Sequence, residues 1–320
     1  MPEADQVAIH VAYCGICGTD LHIYHGDMDS RIGHHRVIGH EMSGIVSKVG
    51  SGVDNVRIGE SVVVRPLDHC NDCPACNAGY SHICHNLKFL GIDSDGAFQQ
   101  EWIVPAHTIH KLPDDMPLQY GALIEPVSVA VHDVRRAKVK PGEDVLVIGG
   151  GPIGMLVAMV ARNAGAHVIL SEVSEARLAF AQALGFDTVN PMQENIAEVI
   201  NAKTASKGAD VVFEVSGTQA GIDAMTETAA TRGRIVMVAI HTSKPKVNMF
   251  AFFWRELELL GARVYAAEDF EEAIRLVSQD VIDCEKMITD VWDLERIGEA
   301  FAALNGNPHA MKSLIKCGSL

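Results

Sequence analysis

The sequence is short of basic residues and contains no long hydrophobic run. Lys and Arg number 26 against 41 Asp and Glu, so the formal net charge is −15. A chain this acidic repels the phosphates of nucleic acids and the head groups of anionic lipids, so we expect neither as a partner. The most apolar stretch, residues 145–161, carries four Gly and a Pro and is too short and interrupted to span a bilayer.

Features of an exported protein are also missing. The first residues, MPEADQVAIHV, lack the basic and apolar regions of a secretory signal, so we expect a cytoplasmic protein. Eight cysteines in 320 residues are too few for a disulfide scaffold, and clustered cysteines in a reducing compartment indicate metal binding. The hydrophobic fraction of 48% excludes disorder over most of the chain, and the length favours two domains.

Two patterns divide the chain. Residues 1 to about 115 contain short β-rich runs separated by loops rich in Gly, Asp and Cys, which is typical of an irregular β domain. From about residue 118 strands and helices alternate, which predicts a parallel sheet with helices on both faces. The predicted strands there are 144–148, 167–170, 210–214 and 234–238, and the helices are 153–164, 175–184 and 221–230. Two surface helices, 271–277 and 294–304, and a last strand, 313–316, are predicted beyond residue 265.

A glycine motif follows the first strand of the alternating region. Residues 149–154 read GGGPIG and fit G-x-G-x-x-G, with Gly149, Gly151 and Gly154 in the glycine places. These glycines permit a tight turn, close approach of a pyrophosphate and close packing of helix on strand. Pro152, followed by Ile153, suits a first helical position, and the helix N-terminus offers free N–H groups to phosphate. The motif predicts dinucleotide binding, and the alternative is a turn that binds nothing.

The second strand of that region ends at an acidic residue, which predicts the preferred dinucleotide. Glu172 lies 21 residues after Gly151, where a carboxylate accepts hydrogen bonds from the adenosine ribose and repels a 2′-phosphate. NAD is therefore expected over NADP. Arg177 tempers the preference, because a nearby Arg can also accommodate a phosphate.

Four cysteines within one loop predict a structural zinc site. Cys70, Cys73, Cys76 and Cys84 form C-x₂-C-x₂-C-x₇-C, and four thiolates suit a closed tetrahedral Zn²⁺. A disulfide pair is the alternative, which the reducing compartment disfavours. A nucleic-acid-binding zinc ribbon would need basic surroundings, and residues 68–85 contain no Lys or Arg.

A second set of metal-ligating residue types is scattered and weak when each member is taken alone. Cys17 lies in the segment CGICGTD, and His40 and Glu41 follow Gly39. Cys14 and Cys17 have the spacing of a redox pair, but that motif belongs near a thioredoxin-like βαβ unit, which is not predicted. Cys14 continues an apolar strand and is expected in the core.

The order of these motifs resembles the zinc-dependent medium-chain dehydrogenases. CGICGTD, GHE, the four-cysteine loop, Glu125–Pro126 and the glycine motif follow one another as in the polyol (sorbitol-like), butanediol and threonine dehydrogenase branch. The resemblance implies an α/β protein with a Rossmann doubly wound parallel sheet domain and a GroES-like β-rich catalytic domain. It places the catalytic domain at 1–120 and 267–320 and the Rossmann domain at 121–266. Members usually carry further strands before the segment matching 6–13, so the catalytic domain is expected to lack them.

Site roles carried over from the family stay implications of the resemblance. One catalytic zinc would be held by Cys17, His40 and Glu41, with Glu125 as fourth ligand or as the group that exchanges with water. Thr19 and His22 match the family's hydroxyl–imidazole proton relay, although His22 alone would be interpreted as a solvated helix residue. Arg255 matches a position near the polyol site, and a salt-bridged structural Arg is equally open. Phe98 is a possible pocket wall, with core packing as the alternative.

The parts together predict a dehydrogenase that oxidises a small polyol, diol or related secondary alcohol to the ketone with NAD and two zinc ions. By family analogy we expect a homodimer or homotetramer. Two rival interpretations remain open. One is a zinc-free NADPH-linked quinone or enone reductase on the same fold, and the other is a non-catalytic dinucleotide-binding protein. The sequence does not name the substrate.

Overall fold

A computed structural model describes residues 1–33, 35–241 and 243–318. The chain divides into two compact units, the first formed by Met1–Ser128 with Tyr265–Leu320 and the second by Val129–Val264. The first unit is thus discontinuous in sequence. The predicted boundaries at 120/121 and 266/267 compare with observed divisions after residues 128 and 264.

The first unit is built on a seven-stranded sheet. Its order is β14-β15-β1-β2-β3-β7, and β6 also pairs with β1. The β14–β15 pair is parallel and the other pairs are antiparallel. The strands of this unit, including a separate β4–β5 pair, are β1 Gln6–Gly15, β2 Glu41–Val49, β3 Ser61–Val64, β4 Leu67–Asp68, β5 Lys88–Phe89, β6 Glu101–Pro105, β7 Ile109–Lys111, β14 Ile288–Asp293 and β15 Lys312–Lys316.

Short helices connect these strands. They are α1 Gly18–Tyr24, α2 Asp29–Ile32, α3 Pro74–Asn77, α4 Leu118–Gly121, α11 Ala267–Ser278, α12 Cys284–Met287 and α13 Ile297–Leu304. Three 3₁₀ turns lie at Ser81–Ile83, Ala106–Thr108 and Leu294–Arg296. Helix α5 spans Ile124–Ala137 and so crosses the division between the units. Alternating Val and Ile side chains of β1, β2 and β3 form the core together with Trp102 and Phe301.

The second unit is a six-stranded parallel sheet with the order β10-β9-β8-β11-β12-β13. In order of sequence within the unit this is 3-2-1-4-5-6, the arrangement of dinucleotide-binding sheets. Its strands are β8 Asp144–Ile148, β9 His167–Ser171, β10 Asp187–Val189, β11 Ala209–Glu214, β12 Ala229–Met237 and β13 Glu258–Gly261. Its helices are α6 Pro152–Asn163, α7 Glu175–Ala183, α8 Ile196–Lys203, α9 Gln219–Thr228 and α10 Met249–Arg255.

The observed elements agree closely with the alternation predicted from the sequence. Strand β8 has the predicted bounds, and β9 is one residue longer than predicted. Among the predicted strands the largest difference is β12, which begins at Ala229 instead of residue 234 because it directly follows the end of α9 at Thr228. The elements β10, α8, α10 and β13 were not predicted individually. Within the described residues, no helix is long and apolar enough to cross a bilayer.

Candidate active site

Three residues of the predicted catalytic set converge in the first unit. One ligand atom each of Cys17, His40 and Glu41 lies within 4.8 Å of the other two. Cys17 caps the N-terminus of α1, where its backbone N–H donates to Asp20 Oδ2 at 2.8 Å. His40 precedes β2, and Glu41 is the first residue of that strand. Cys17 and Glu41 are 24 residues apart in the sequence. They lie close together because the start of α1 is next to the start of β2 in the fold.

Close packing around Gly39 fixes the position of His40. Gly39 has φ +101°, and a Cβ there would lie 2.8 Å from the Phe98 ring and 3.0 Å from Cys14 Sγ. Only glycine fits a left-handed conformation against such neighbours. The ring of His40 packs edge-on against Phe89 with centroids 5.2 Å apart. Its Nδ1 lies 3.7 Å from the buried carboxylate of Asp20.

The donor set fits zinc. His40 and Glu41 are 2% and 1% exposed, and among the described residues His40 Nδ1 has no hydrogen-bond partner. Buried polar atoms without hydrogen bonds are costly unless another group, such as a metal ion, satisfies them. A thiolate, an imidazole and a carboxylate are ligands of catalytic zinc sites.

Glu125 lies outside the cluster of Cys17, His40 and Glu41, but it is buried and interacts electrostatically with His40 and Glu41. Among the described residues, it is not within the 4.8 Å grouping formed by the three ligands. Its Oε1 accepts a 2.7 Å hydrogen bond from the hydroxyl of Tyr265. Burial raises the pKa of Glu125 to about 7, while His40 opposes the rise and Glu41 adds to it. Its place in the inner sphere of a metal stays a prediction.

A buried lysine completes the charge arrangement. Lys312 of β15 is 3% exposed and forms an ion pair with Glu41 Oε2. Burial alone would lower the pKa of Lys312, but Glu41 and then Cys17 raise it above its ordinary value. Lys312 was not predicted from the sequence. The local signal is slight, because the strand also contains Ser313 and the exposed Lys316 beside the apolar pair Leu314 and Ile315.

The four-cysteine loop has the geometry of a closed zinc site. The Sγ atoms of Cys70, Cys73, Cys76 and Cys84 all lie within 4.8 Å of one another. The Cys73–Cys76, Cys73–Cys84 and Cys84–Cys70 sulfur distances are 3.6, 3.7 and 3.4 Å. A tetrahedron with Zn–S bonds of 2.3 Å has edges of about 3.8 Å, whereas a disulfide requires about 2.05 Å. All four residues are free thiols.

Backbone N–H groups aim at these sulfur atoms. His85 N lies 3.3 Å and Cys76 N 3.5 Å from Cys73 Sγ, and Asn86 N lies 3.3 Å from Cys84 Sγ. Hydrogen bonds from Cys76 N and His85 N lower the pKa of Cys73 to about 6. These bonds favour the thiolate of Cys73, the form that binds zinc. Burial and the neighbouring Cys73 and Cys84 instead raise the pKa of Cys76 to about 12.

The glycine motif of the second unit has the geometry of a phosphate-binding turn. Gly149 has φ +108°, and a Cβ on Gly154 would lie 1.8 Å from the Gly149 carbonyl oxygen. Gly151 caps α6, Pro152 is its first residue and Ile153 its second. The positive φ at position 149 and the lack of space for a Cβ at position 154 both result from the tight turn between β8 and α6.

Glu172 lies beside this turn. Its Oε2 accepts from Gly150 N at 2.7 Å, and its Oε1 accepts from Val173 N and Ser174 N at 2.7 and 2.8 Å. Arg177 Nη1 is 3.8 Å from Glu172 Oε2. The carboxylate is thus fixed at the end of β9, directly beside the glycine turn.

Comparisons with known proteins agree with these sites. The alcohol dehydrogenase GroES-like domain matches residues 3–114, and the zinc-binding dehydrogenase domain matches residues 152–279. The chain is 54% identical to the 2-dehydro-3-deoxy-L-galactonate 5-dehydrogenase of Pseudoalteromonas atlantica, over 99% of this chain and 93% of that protein. The chain belongs to the zinc-dependent alcohol and polyol dehydrogenases.

Solved structures of this dehydrogenase family share the fold. A zinc-binding dehydrogenase of Sinorhizobium meliloti 1021 bound to NADP has a TM-score of 0.92 at 31% identity, covering 99% of this chain and 93% of that one. An alcohol dehydrogenase of Escherichia coli CFT073 complexed with NADH has a TM-score of 0.91 at 30% identity, with the same coverages. The predicted GroES-like and Rossmann fold class is confirmed. The dehydrogenase function is confirmed as well, and neither the quinone reductase nor the non-catalytic interpretation is favoured.

The remaining predicted residues of the dehydrogenase lie in different surroundings. Thr19 is half-buried in the first turn of α1. His22 is exposed on the same helix and its Nδ1 lies 3.0 Å from Asp27 Oδ2. Phe98 is 8% exposed in the core and packs on Gly39. Their roles in proton transfer and substrate binding stay predictions.

Arg255 is held by backbone. In the second unit its guanidinium donates to the carbonyl oxygens of Ala229 and Thr226, the former at 2.6 Å. These bonds join α10 to the junction of α9 and β12. These partners are carbonyl oxygens and not the carboxylate of the expected salt bridge, and the substrate role of Arg255 stays a prediction.

Proposed function

We propose that the protein oxidises a secondary hydroxyl of a sugar acid to the ketone, with NAD as hydride acceptor. The observation that carries the chemistry is the buried cluster of Cys17, His40 and Glu41. The substrate class rests on the 54% identity to 2-dehydro-3-deoxy-L-galactonate 5-dehydrogenase. A sugar acid of that kind is also a polyol, so the proposal narrows the broader class of small polyols and diols.

The chemistry requires one hydride and one proton to leave the carbinol. Bound zinc would polarise the hydroxyl and lower its pKa, and NAD would accept the hydride. Cys17, His40 and Glu41 would hold the metal, while the four-cysteine loop would hold a second, structural zinc. Glu125, with its raised pKa and its Tyr265 partner, is suited to receive a proton near neutral pH. Thr19 and the exposed His22–Asp27 pair would carry the proton to solvent.

NAD is proposed over NADP because Glu172 would face the adenosine ribose. A carboxylate fixed there by three backbone N–H groups cannot turn away to accommodate a 2′-phosphate. Solved relatives of the family bind NADP in one case and NADH in another, so the choice depends on this chain's own residues. Gly149, Gly151, Pro152, Ile153 and Gly154 would bind the pyrophosphate.

We also propose a homodimer or homotetramer. Strand β13 ends the order of the parallel sheet and is paired only with β12 in the described structure. Beside it, α10 exposes four large apolar side chains, namely Met249 at 65%, Phe250 at 65%, Phe253 at 76% and Trp254 at 71%. Aromatic side chains bury roughly 150–250 Å² each, so this face approaches the size of one side of a standard interface. A second copy can pair with the same edge about a two-fold axis.

We also propose a cytoplasmic location, because the free thiols of the chain suit a reducing compartment.

The function is tested with purified protein by measuring kcat/KM with NAD and NADP. The substrates are 2-dehydro-3-deoxy-L-galactonate, xylitol, (R,R)-butane-2,3-diol and L-threonine. The expected result is the highest kcat/KM for the sugar acid with NAD, two zinc ions per chain, and loss of activity in Cys17→Ser but not in the control Cys284→Ser. A higher kcat/KM for threonine or butanediol would refute the sugar-acid proposal.

A further inference from the structure

Arg65 is a buried cation whose guanidinium is poorly satisfied. It directly follows β3 and is 4% exposed. Its Nε and Nη1 have no hydrogen-bond partner among the described residues. In the part of the chain that the structure describes, the other buried Lys or Arg is Lys312, which is paired with Glu41. A buried charge is costly unless a counter-charge and hydrogen bonds satisfy it, so Arg65 requires a partner that these residues do not supply.

The sheet holds Arg65 on the same face as His110. Strands β3 and β7 pair Val63 with His110, and Arg65 N continues the ladder by donating to the Thr108 carbonyl oxygen at 2.8 Å. Side chains alternate along a strand, so Arg65, two residues after Val63, shares the face of Val63 and His110. The charges agree with this placement, because burial lowers the pKa of His110 and Arg65 lowers it further.

Aromatic side chains at the start of α11 cover this face. The Phe270 ring lies 4.8 Å from the His110 ring and 5.5 Å from the Tyr265 ring, measured between centroids. Burial lowers the pKa of Arg65, whereas Tyr265 and then Glu268 oppose the shift. Glu268 is exposed, so water screens its charge. The buried neighbour of the guanidinium is thus a phenol, which stays neutral and does not balance a positive charge.

Tyr265 connects Arg65 with the candidate active site. Its hydroxyl donates to Glu125 Oε1 at 2.7 Å. Burial raises the pKa of Tyr265, Glu125 raises it further, and Arg65 opposes the rise. Glu125 in turn interacts electrostatically with His40 and Glu41 of the ligand cluster. The guanidinium therefore lies about one side chain away from the residues that surround the reacting group.

The proposed substrate carries an anionic group at a comparable distance from its reacting carbon. A 2-dehydro-3-deoxy-L-galactonate 5-dehydrogenase reacts at C5, and the carboxylate of that sugar acid is C1. With C–C bonds of about 1.5 Å, C1 and C5 of an extended chain are about 5 Å apart. The planar guanidinium of an arginine matches a carboxylate with two parallel N–H···O bonds. Such a carboxylate would supply both the charge and the acceptors that Arg65 lacks.

We propose that Arg65 binds the carboxylate group of the substrate and thereby favours sugar acids over neutral polyols. This inference deepens the proposed function and rests on its substrate class, but not on the choice of coenzyme. Arg65 takes no part in hydride or proton transfer. Its effect is therefore expected in KM more than in kcat, since a contact at the far end of the substrate is made equally in the ground state and the transition state.

The test compares 2-dehydro-3-deoxy-L-galactonate with its neutral C1 amide, which keeps every hydroxyl. Calorimetry measures the Kd of each for the purified, zinc-loaded protein without coenzyme. The wild-type protein is expected to bind the acid roughly 10- to 100-fold more tightly than the amide, the scale of hydrogen bonds to a charged group. In Arg65→Met this preference is expected to disappear. Arg57→Met, at an exposed arginine of the same unit, is the matched control and should keep the wild-type preference.

Steady-state kinetics with NAD separate binding of the carboxylate from a merely structural role. Arg65→Met is expected to raise KM for the sugar acid by roughly 10- to 100-fold while kcat changes little. It should leave kcat/KM for (R,R)-butane-2,3-diol unchanged, because this substrate has no carboxylate. A structural arginine would lower kcat/KM for both substrates alike. If Arg65→Met does not fold, as judged by Tm, Arg65→Lys is the second variant and should retain part of the preference for the acid.

Equal binding of acid and amide by the wild-type protein would overturn the proposal, and this measurement needs no variant. A folded Arg65→Met protein that keeps the wild-type preference for the acid would overturn it too. If the wild type still turned over the sugar acid best, the proposed function would stand without this role of Arg65. Fastest turnover of a neutral substrate, together with Arg65-dependent binding of the acid, would refute the sugar-acid function but support the carboxylate site.

Discussion

The hydroxyl of Tyr265 donates to Oε1 of Glu125 at 2.7 Å, and the two side chains are 0% and 6% exposed. They are 140 residues apart in sequence. Burial raises the pKa of Tyr265 well above its ordinary value, and Glu125 raises it further. The phenol therefore stays protonated and donates its hydrogen bond to Oε1 of Glu125.

Glu125→Gln is expected to lower kcat or zinc retention by roughly 10-fold or more, as loss of a group near a metal does. Glu125 also lies in the first turn of α5, where a carboxylate stabilises the helix by about 0.3–1 kcal/mol. Steady-state kinetics, zinc content and Tm separate the two roles. A small fall in Tm with unchanged kcat and zinc content would identify Glu125 as a helix-capping residue only.

Cys76→Ser is expected to remove one zinc ion per chain and lower Tm, while the zinc held by Cys17, His40 and Glu41 stays. The reason is that three thiolates cannot close the tetrahedron that the four sulfur atoms form. Metal analysis and thermal unfolding provide the measurement, with Cys284→Ser as the control. Unchanged zinc content and Tm would contradict a structural metal in this loop.

Glu172→Ser is expected to raise kcat/KM with NADP relative to NAD, because it removes the negative charge that would face the ribose in the proposed coenzyme site. Arg177, 3.8 Å from that carboxylate, would then be available to a 2′-phosphate. The comparison is the ratio of kcat/KM for the two coenzymes in wild type, Glu172→Ser and the control Glu175→Ser. A wild-type protein that prefers NADP would show that the interpretation of Glu172 is wrong.

His110 predicts a pH dependence of stability. Its ring packs on Phe270 with centroids 4.8 Å apart, and burial lowers its pKa, although Glu271 opposes the shift. The unfolded chain therefore binds more protons than the folded one below the ordinary pKa of 6.5, so the free energy of unfolding falls as pH falls below that value. Tm measured from about pH 7 to about pH 5 should fall less in His110→Gln than in wild type. His309→Gln, an exposed control, should follow the wild type, and identical slopes in all three proteins would exclude this role.

Trp254→Glu is expected to shift the protein toward the monomer, because a charge would be buried in the apolar face of α10. Sedimentation velocity at several concentrations measures the change. Tyr80→Glu, in the first unit and 56% exposed, is the control for a new surface charge. A Trp254→Glu protein that keeps the wild-type oligomer would place the interface elsewhere.

The sequence was sufficient where the signal is local. The glycine motif, the strand before it and the helix after it lie within 20 residues, and the structure places them with bounds one residue or less from prediction. The four cysteines span only 15 residues, and their grouping is similarly local. The approach of Cys17 to His40 and Glu41 came only from the resemblance, since neither spacing nor periodicity indicates it.

What the sequence did not reveal depends on long-range packing. Lys312 meets Glu41 because β15 and β2 both pair with β1. At Gly15 of β1, the partner residue is Leu314 in β15 and Glu41 in β2. Tyr265 meets Glu125 across a whole intervening unit of sequence. No pattern in a single sequence specifies such pairs. The hydrogen bonds of Arg255 to two carbonyl oxygens could not be predicted from the sequence either, because they depend on where α9 ends.

The place of β15 between β14 and β1 has a consequence for synthesis on the ribosome. Strand β1 is translated before the entire second unit, but the strand that covers one of its edges is translated only after that unit. About 300 residues separate β1 from β15, so at roughly 5–20 residues per second β1 waits for about 15–60 s. During that interval Cys17 and Glu41 are held by an unfinished sheet. The proposed catalytic zinc would therefore be captured late in synthesis, whereas the four-cysteine loop could take up its proposed ion while translation continues.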